Sequence, residues 1–440
     1  MKKNIVYGDD LLNNALVNYS NPVVSISGRW NKSDSLLNLN NDVLSKHLLL
    51  VGGTGCGKTN VFFHLVSQLK RSMTSDDVMI IFDTKGDFVE KFYDSNKDVI
   101  IAKKNFKKDL LFWNIFKEAL VDGNSDENIN SSIQEISWSL FDDAIKKNSS
   151  NPFFPNAARD LFAALLTCII RVGNDNLDFK KEFFNNKSLK GLFDELTVEN
   201  IINMISAEKD LLSVLSYIGD GNNSQGLGVI AEMQTVVRKI FTEHFAQDGR
   251  FSIREFVRNK SAKTVFIEYD LSSGNVLIPV YQLLFDLALK EALGRTRSQG
   301  NVYLICDEFK LLPNLQHIDD AVNFGRGLGV KVVVGLQSIS QIYDNYGEHR
   351  GKNIISGFST VFSFRANDEI TKKFVSERYG KNYVVEQYKS LNNSIIEKER
   401  IGNIVEDWDI NSLCIGEAII GFPFEKPFRF MFDIYNKNRR

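Results

Sequence analysis

Residues Gly52-Gly53-Thr54-Gly55-Cys56-Gly57-Lys58-Thr59 read G-x-x-x-x-G-K-T, and this stretch decides the fold. His47–Val51, just before it, is an apolar run of strand length, and Thr59–Arg71, just after it, has helical amphipathic spacing. Strand, glycine loop and helix in that order make a phosphate cradle. Glycines let successive backbone N–H groups turn toward phosphate oxygens. The helix N-terminus adds its partial positive charge. The pattern predicts that residues Gly52, Gly53, Thr54, Gly55, Cys56, Gly57, Lys58 and Thr59 bind ATP, with Lys58 on the β- and γ-phosphates and the Thr59 hydroxyl on Mg²⁺.

Outward from the loop, short β-branched runs alternate with longer helical patterns, which predicts an α/β fold of the RecA-like P-loop kind with a central, mainly parallel sheet. The predicted strands are His47–Val51, Val78–Asp83, Val99–Ala102, Thr264–Tyr269, Val302–Asp307, Lys331–Leu336 and Thr360–Arg365. Most are continuously apolar, as strands covered on both faces are. Gly416–Phe422 and Phe428–Tyr435 form a closing pair joined through Pro423 and Pro427. Strand runs vanish between about 120 and 250, where Ala157–Val172, Val198–Tyr217 and Val229–Phe245 read as helices. The chain therefore divides into residues 1–120, an all-α insertion over 121–250, and residues 251–440, which complete the nucleotide-binding domain.

Val302–Cys306 runs into Asp307-Glu308. A carboxylate at such a strand tip can hold the Mg²⁺ shell, and its neighbour can orient or deprotonate the attacking water. In RecA-like ATPases the next strand inserts between the acidic strand and the P-loop strand, so Gln337, at the tip of Lys331–Leu336, points toward the γ-phosphate as a sensor or rests as a loop amide. Arg326 stands between glycines just before that strand. It reads either as a finger reaching a neighbouring subunit's nucleotide or as a surface arginine. Asp83 and Lys85, at another strand tip on the ligand-binding edge, join the site or form a structural ion pair.

The formal net charge of −2 provides no global basic field for nucleic acid or an anionic membrane. DNA contact would then need a local patch. Lys103, Lys104, Lys107 and Lys108 are one candidate, with a solvated loop as the plainer reading. Cys56, Cys168, Cys306 and Cys414 are far apart and form no CxxC, which fits a reducing cytoplasm. The apolar run Leu161–Val172 is shorter than the roughly 20 residues that cross a bilayer.

With these residues in hand, the chain resembles the conjugative coupling proteins of type IV secretion, within the FtsK–HerA superfamily of DNA pumps. HLLLVGGTGCGKT from His47 looks like the family P-loop, and IFDTKGDF from Ile81 like its D-P-K-G-E element, with Thr84 in place of proline. NPFFPNAARDLFAALL from Asn151 resembles the helix entering the family's all-α domain, and ICDEFKLLPNL from Ile305 its acidic strand. GRGLGVKVVVGLQSISQIYDNYG from Gly325 is the most specific match. FSFRANDEITKKFVSERYG from Phe362 and GEAIIGFPFEKPF from Gly416 carry it to the C-terminal part.

The resemblance implies a homo-hexameric ring around DNA, with the all-α insertion at its cytoplasmic mouth. It implies an ATP-driven DNA translocase that delivers a DNA–relaxase complex or another secretion substrate to membrane channel proteins. It carries over Lys58 and Thr59 on phosphate and Mg²⁺, Asp307 on Mg²⁺, Glu308 on water, Gln337 as sensor and Arg326 as finger. Standard coupling proteins have an N-terminal membrane anchor, whereas a polar segment of about 46 residues precedes the P-loop strand here. The expectation is a cytoplasmic chain with no span of its own, brought to the inner face of the membrane by a partner. The alternatives are a nucleotide-gated substrate receptor, an assembly ATPase of a secretion system, and a soluble pump in a mobile element or phage defence.

Overall fold

The computed structural model of the chain describes residues 2–12, 14–101, 111–219, 223–271, 274–295, 300–389 and 395–436. Within them run β1 (Lys2–Tyr7), β2 (Val24–Trp30), β3 (Ser33–Leu39), β4 (Leu48–Val51), β5 (Val78–Asp83), β6 (Val99–Ile101) and β7 (Lys263–Glu268). These are followed by β8 (Val302–Cys306), β9 (Val330–Leu336), β10 (Thr360–Phe364), β11 (Lys381–Lys389), β12 (Ile395–Asn403), β13 (Glu417–Gly421) and β14 (Phe428–Phe432).

Eleven of these strands form one sheet, in the order β3-β2-β14-β13-β10-β4-β9-β8-β5-β7-β6. From β10 to β6 every pairing is parallel, and from β10 to β3 every pairing is antiparallel. The predicted insertion of β9 between the acidic strand β8 and the P-loop strand β4 is present. β4, β5, β8, β9 and β10 are buried at every residue. Alternation explains why such strands must be apolar throughout. Leu49, Val51, Val78, Ile80 and Phe82 face one core, while Leu48, Leu50, Met79 and Ile81 face the other. The helix Lys58–Ser72 covers the second core with Val61, Phe62, Leu65, Val66 and Leu69.

The helical segment departs from the sequence expectation in its breaks. Val198–Tyr217, expected as one helix, ends at Ser206 and resumes as a 3₁₀ turn at Leu212–Tyr217. Within the break, Glu208 (2.6 Å) and Asp210 (2.8 Å) pair with Arg171 of the neighbouring helix. Val229–Phe245 is instead a helix over Ser224–Ile240 and a 3₁₀ turn over Glu243–Ala246, with Glu243 at φ 47°. Ala157–Val172 extends to Phe153–Asp175, 23 residues, and is by length and composition apolar enough to cross a membrane. It packs between the helices Asp126–Lys147 and Ser224–Ile240, with fourteen of its residues buried. The segment's core is continuous with one face of the sheet, because the helix Gly274–Leu293 packs on both. Entry and exit of the segment are tied by the Trp113–Phe251 bridge. Buried Glu118 accepts from Trp113 Nε1 (3.0 Å), Ser252 Oγ (2.8 Å) and Ile253 N (2.6 Å).

Five strands escape the sequence reading. β2 and β3 pair through a turn at Asn31 and Lys32, both at positive φ. They bury only Val24, Ile26, Gly28, Leu37 and Leu39 of their fourteen residues. β1, β11 and β12 make a separate antiparallel sheet, and β12 is exposed along most of its length.

His47, at the entrance to β4, holds β9 by accepting from Val332 N at 3.1 Å with Nδ1. Burial pushes its pKa down to about 4, so the folded chain carries it neutral. A depressed histidine contributes stability that is full above its unfolded pKa and is lost as pH falls from about 6.5 toward 4. The expected loss is about 3 kcal/mol across that window. Thermal unfolding followed against pH should steepen there, and His47→Asn should flatten it.

Candidate nucleotide site

The C-terminal edge of the parallel strands assembles the site. Gly55 and Gly57 take φ 74° and 110° in the loop. At Gly57 a Cβ would stand 3.0 Å from the Gly416 backbone, so glycine is required twice over. Gly416 N–H donates to the Cys56 carbonyl (2.9 Å) and Gly53 N–H to that of Arg365 (2.8 Å), which fixes the loop from the β10 and β13 side. The Lys58 ammonium is buried against the Gly52 and Gly53 carbonyls, at 2.6 and 3.1 Å.

Thr59 Oγ1 donates to Asp307 Oδ2 at 2.5 Å, joining the P-loop helix to the tip of β8. Burial raises the Asp307 pKa, against the Thr59 hydrogen bond and the Lys58 charge, which lower it. A hydroxyl and a carboxylate oxygen side by side are hard ligands, and they fit Mg²⁺ bound together with nucleotide phosphate.

Gln337 lies between the acidic pair and the loop. Its Nε2 donates to Glu308 Oε1 and Oε2 (3.0 and 3.2 Å), and its Oε1 accepts from Thr54 Oγ1 (3.1 Å). The structure thus brings together Thr54, Lys58, Thr59, Asp307, Glu308 and Gln337. Arg326 is not among them. It stands on the turn Gly325–Leu328 at the opposite end of β9, half exposed, with Nη2 2.8 Å from Asp42. Seven strand residues put roughly 20 Å between it and the tip that carries Gln337.

Asp83 takes neither role read from the sequence. Its carboxylate accepts the N–H groups of Gly86, Phe88 and Val89 at 2.9–3.0 Å and so caps the helix Asp87–Phe92. Exposed Lys85 lies close enough to Asp307 for its charge to favour the carboxylate. The lysines 103, 104, 107 and 108 fall outside the described residues.

Sequence reasoning missed two features. Gly335, inside β9, lets β8 approach. A Cβ there would meet the Asp307 carbonyl at 2.2 Å. A lone glycine in a β-branched strand signals such an approach. Gly335→Ala should displace Asp307 from Thr59 and weaken Mg²⁺-dependent nucleotide binding by about 10-fold or more, read by titrating Mg²⁺ with a fluorescent nucleotide. The second feature is a cleft of about 270 Å³ beside the loop, lined by Gly53, Thr54, Gly55 and Cys56 together with Arg365, Asn367, Cys414 and Ile415. Only the fold brings the 365–367 and 414–415 segments to the P-loop.

Comparison with known proteins places the chain in one family. Over 76% of its length the chain is 22% identical to coupling protein TraD of Escherichia coli K12, covering 44% of that protein. Over 52% it is 28% identical to VirD4 of Rhizobium radiobacter, covering 33%. The chain thus spans less than half the length of these two relatives. Among solved structures it matches the plasmid coupling protein TrwB in complex with a non-hydrolysable ATP analogue, with a TM-score of 0.72 at 20% identity, over 100% of this chain and 96% of that one. VirB4 of Thermoanaerobacter pseudethanolicus matches at a TM-score of 0.55 and 12% identity, over 95% and 98%. The model of the type IV secretion-system coupling protein DNA-binding domain covers residues 35–420 of the 440, and the chain belongs to that family.

Proposed function

We propose that the chain is an ATPase that pumps DNA, or a DNA–protein complex, toward a type IV secretion channel. One observation carries this reading. A single sheet edge gathers Lys58, Thr59, Asp307, Glu308 and Gln337, while Arg326 stands at the far end of β9. Lys58 binds the β- and γ-phosphates and leaves its carbonyl partners to do so. Thr59 and Asp307 hold Mg²⁺, which when bound neutralises charge on the phosphates. Glu308 orients the attacking water and takes its proton. The cleft between Thr54, Arg365 and Ile415 receives ribose and base. Arg326 lies too far away to serve its own site, so it completes the site of a neighbouring copy. A ring of six identical subunits satisfies every site in this way. The helical segment, residues 121–250, forms the mouth that meets the relaxase or other substrate. The chain then works at the cytoplasmic face of the membrane through channel partners.

Displacement of a triplex-forming oligonucleotide from a DNA duplex tests the pumping. ATP-dependent displacement by the wild type, absent in Lys58→Ala, is expected. Steady ATP hydrolysis without displacement from any duplex or single-strand-tailed DNA would refute the motor and leave a docking or assembly ATPase.

A further inference from the structure

We infer that Glu135, from the helical segment, and His317 are positioning residues for Arg326: together they fix the piece of chain that carries the finger toward the next copy's site. This rests on the reading of Arg326 given above.

His317 lies midway between Glu308 and Arg326, nine residues from each. The chain between those two residues must run from one edge of the sheet to the other, because Glu308 follows β8, Arg326 precedes β9, and the two strands are parallel. It does so as the 3₁₀ turn Phe309–Leu311, a loop, the helix Ile318–Phe324 and the turn Gly325–Leu328. His317 is the residue from which that helix starts.

The start of the helix is pinned from three sides. Glu135, on the helix Asp126–Lys147, accepts from His317 Nε2 at 3.0 Å and from Lys290 of the helix Gly274–Leu293. Both side chains of the Glu135–His317 pair are mostly buried. Buried Asp286, also on Gly274–Leu293, accepts the N–H groups of Gln316 (2.7 Å) and His317 (3.1 Å). Arg350 donates to the Leu315 carbonyl (2.6 Å) and to Asp319 Oδ2 (2.7 Å). The far end is open by contrast. Phe324 is 70% exposed, and Arg326 rests against a half-exposed Asp42. A helix of seven residues is about 10 Å long, so a tilt of roughly 6° at His317 moves its far end by about 1 Å. A misplacement of that size can cost on the order of 10²-fold in rate. Through Glu135 the helical segment therefore holds the short arm of a lever whose long arm ends in the finger.

Single-turnover hydrolysis by the assembled enzyme on DNA tests this as a double-mutant cycle. His317→Leu removes the donor, His317→Gln restores an N–H through its amide, and Glu135→Ala removes the acceptor on the segment's side. Each is made with Arg326 intact and with Arg326→Ala. With Arg326 intact, His317→Leu and Glu135→Ala should each slow hydrolysis about tenfold or more, nucleotide affinity should stay within about twofold of wild type, and His317→Gln should recover most of the rate. In the Arg326→Ala background the same substitutions should cost nothing further, within about twofold. An equal loss in both backgrounds, or an undiminished rate with Arg326 intact, would overturn the positioning role and leave the pair as a structural bridge. Should His317→Leu fail to fold, Glu135→Ala carries the same comparison. If Arg326→Ala alone leaves the rate unchanged, the finger reading falls and the positioning with it.

Discussion

Arg326→Ala should lower ATP turnover about 10³-fold while nucleotide affinity stays within about twofold of wild type. The reason is positional. Arg326 is held by Asp42 at the N-terminal end of β9, and the proposed phosphate site lies at the C-terminal end. At that distance a direct contact with nucleotide would have to come from a neighbouring subunit, as proposed above. Its ion pair with Asp42 is about half exposed on both sides, so losing it should barely move thermal stability. Mixing supplies the decisive control. Arg326→Ala and Lys58→Ala chains should each be inactive alone. In a random equimolar ring about one interface in four pairs an intact P-loop with an intact finger, and turnover should return in proportion. Failure to complement, with mixed assembly shown by cross-linking, would place Arg326 outside the chemistry.

Glu308→Gln is expected to reduce kcat by about 10²–10⁴-fold without loss of nucleotide binding. The substitution keeps the shape and removes the proton acceptor. Its neighbour Asp307 accepts from Thr59 Oγ1 at 2.5 Å. It cannot take over as base without giving up that contact. DNA pumping should stop while docking of DNA persists, which single-turnover hydrolysis and filter binding on the same preparation would separate. Turnover within about tenfold of wild type would mean that another group activates the water.

The site was legible where a buried strand runs into a polar tip. Val51 into Gly52, Cys306 into Asp307 and Leu336 into Gln337 each mark the boundary between core and ligand edge. The same logic missed β2, β3 and β12. Their alternation is mixed with exposed polar residues, and their pairing depends on turns and partners distant in sequence. Asp83 shows the opposite limit. Its strand-tip position was readable, but its role depends on which N–H groups the following chain turns toward it. Arg365 and Ile415 share a cleft with Thr54 only because β10 pairs with β4 and β13 pairs with β10. The residues just after the helix end at Ser206 pair with Arg171, more than thirty positions earlier, a contact that local periodicity cannot see.

In the proposed motor the site is completed between subunits on DNA. Steady-state ATP hydrolysis measured against protein concentration, with and without DNA and with Lys58→Ala as the blank, tests it most directly. A DNA-stimulated rate that rises more steeply than linearly as rings assemble is expected. A rate strictly proportional to protein and indifferent to DNA would contradict it.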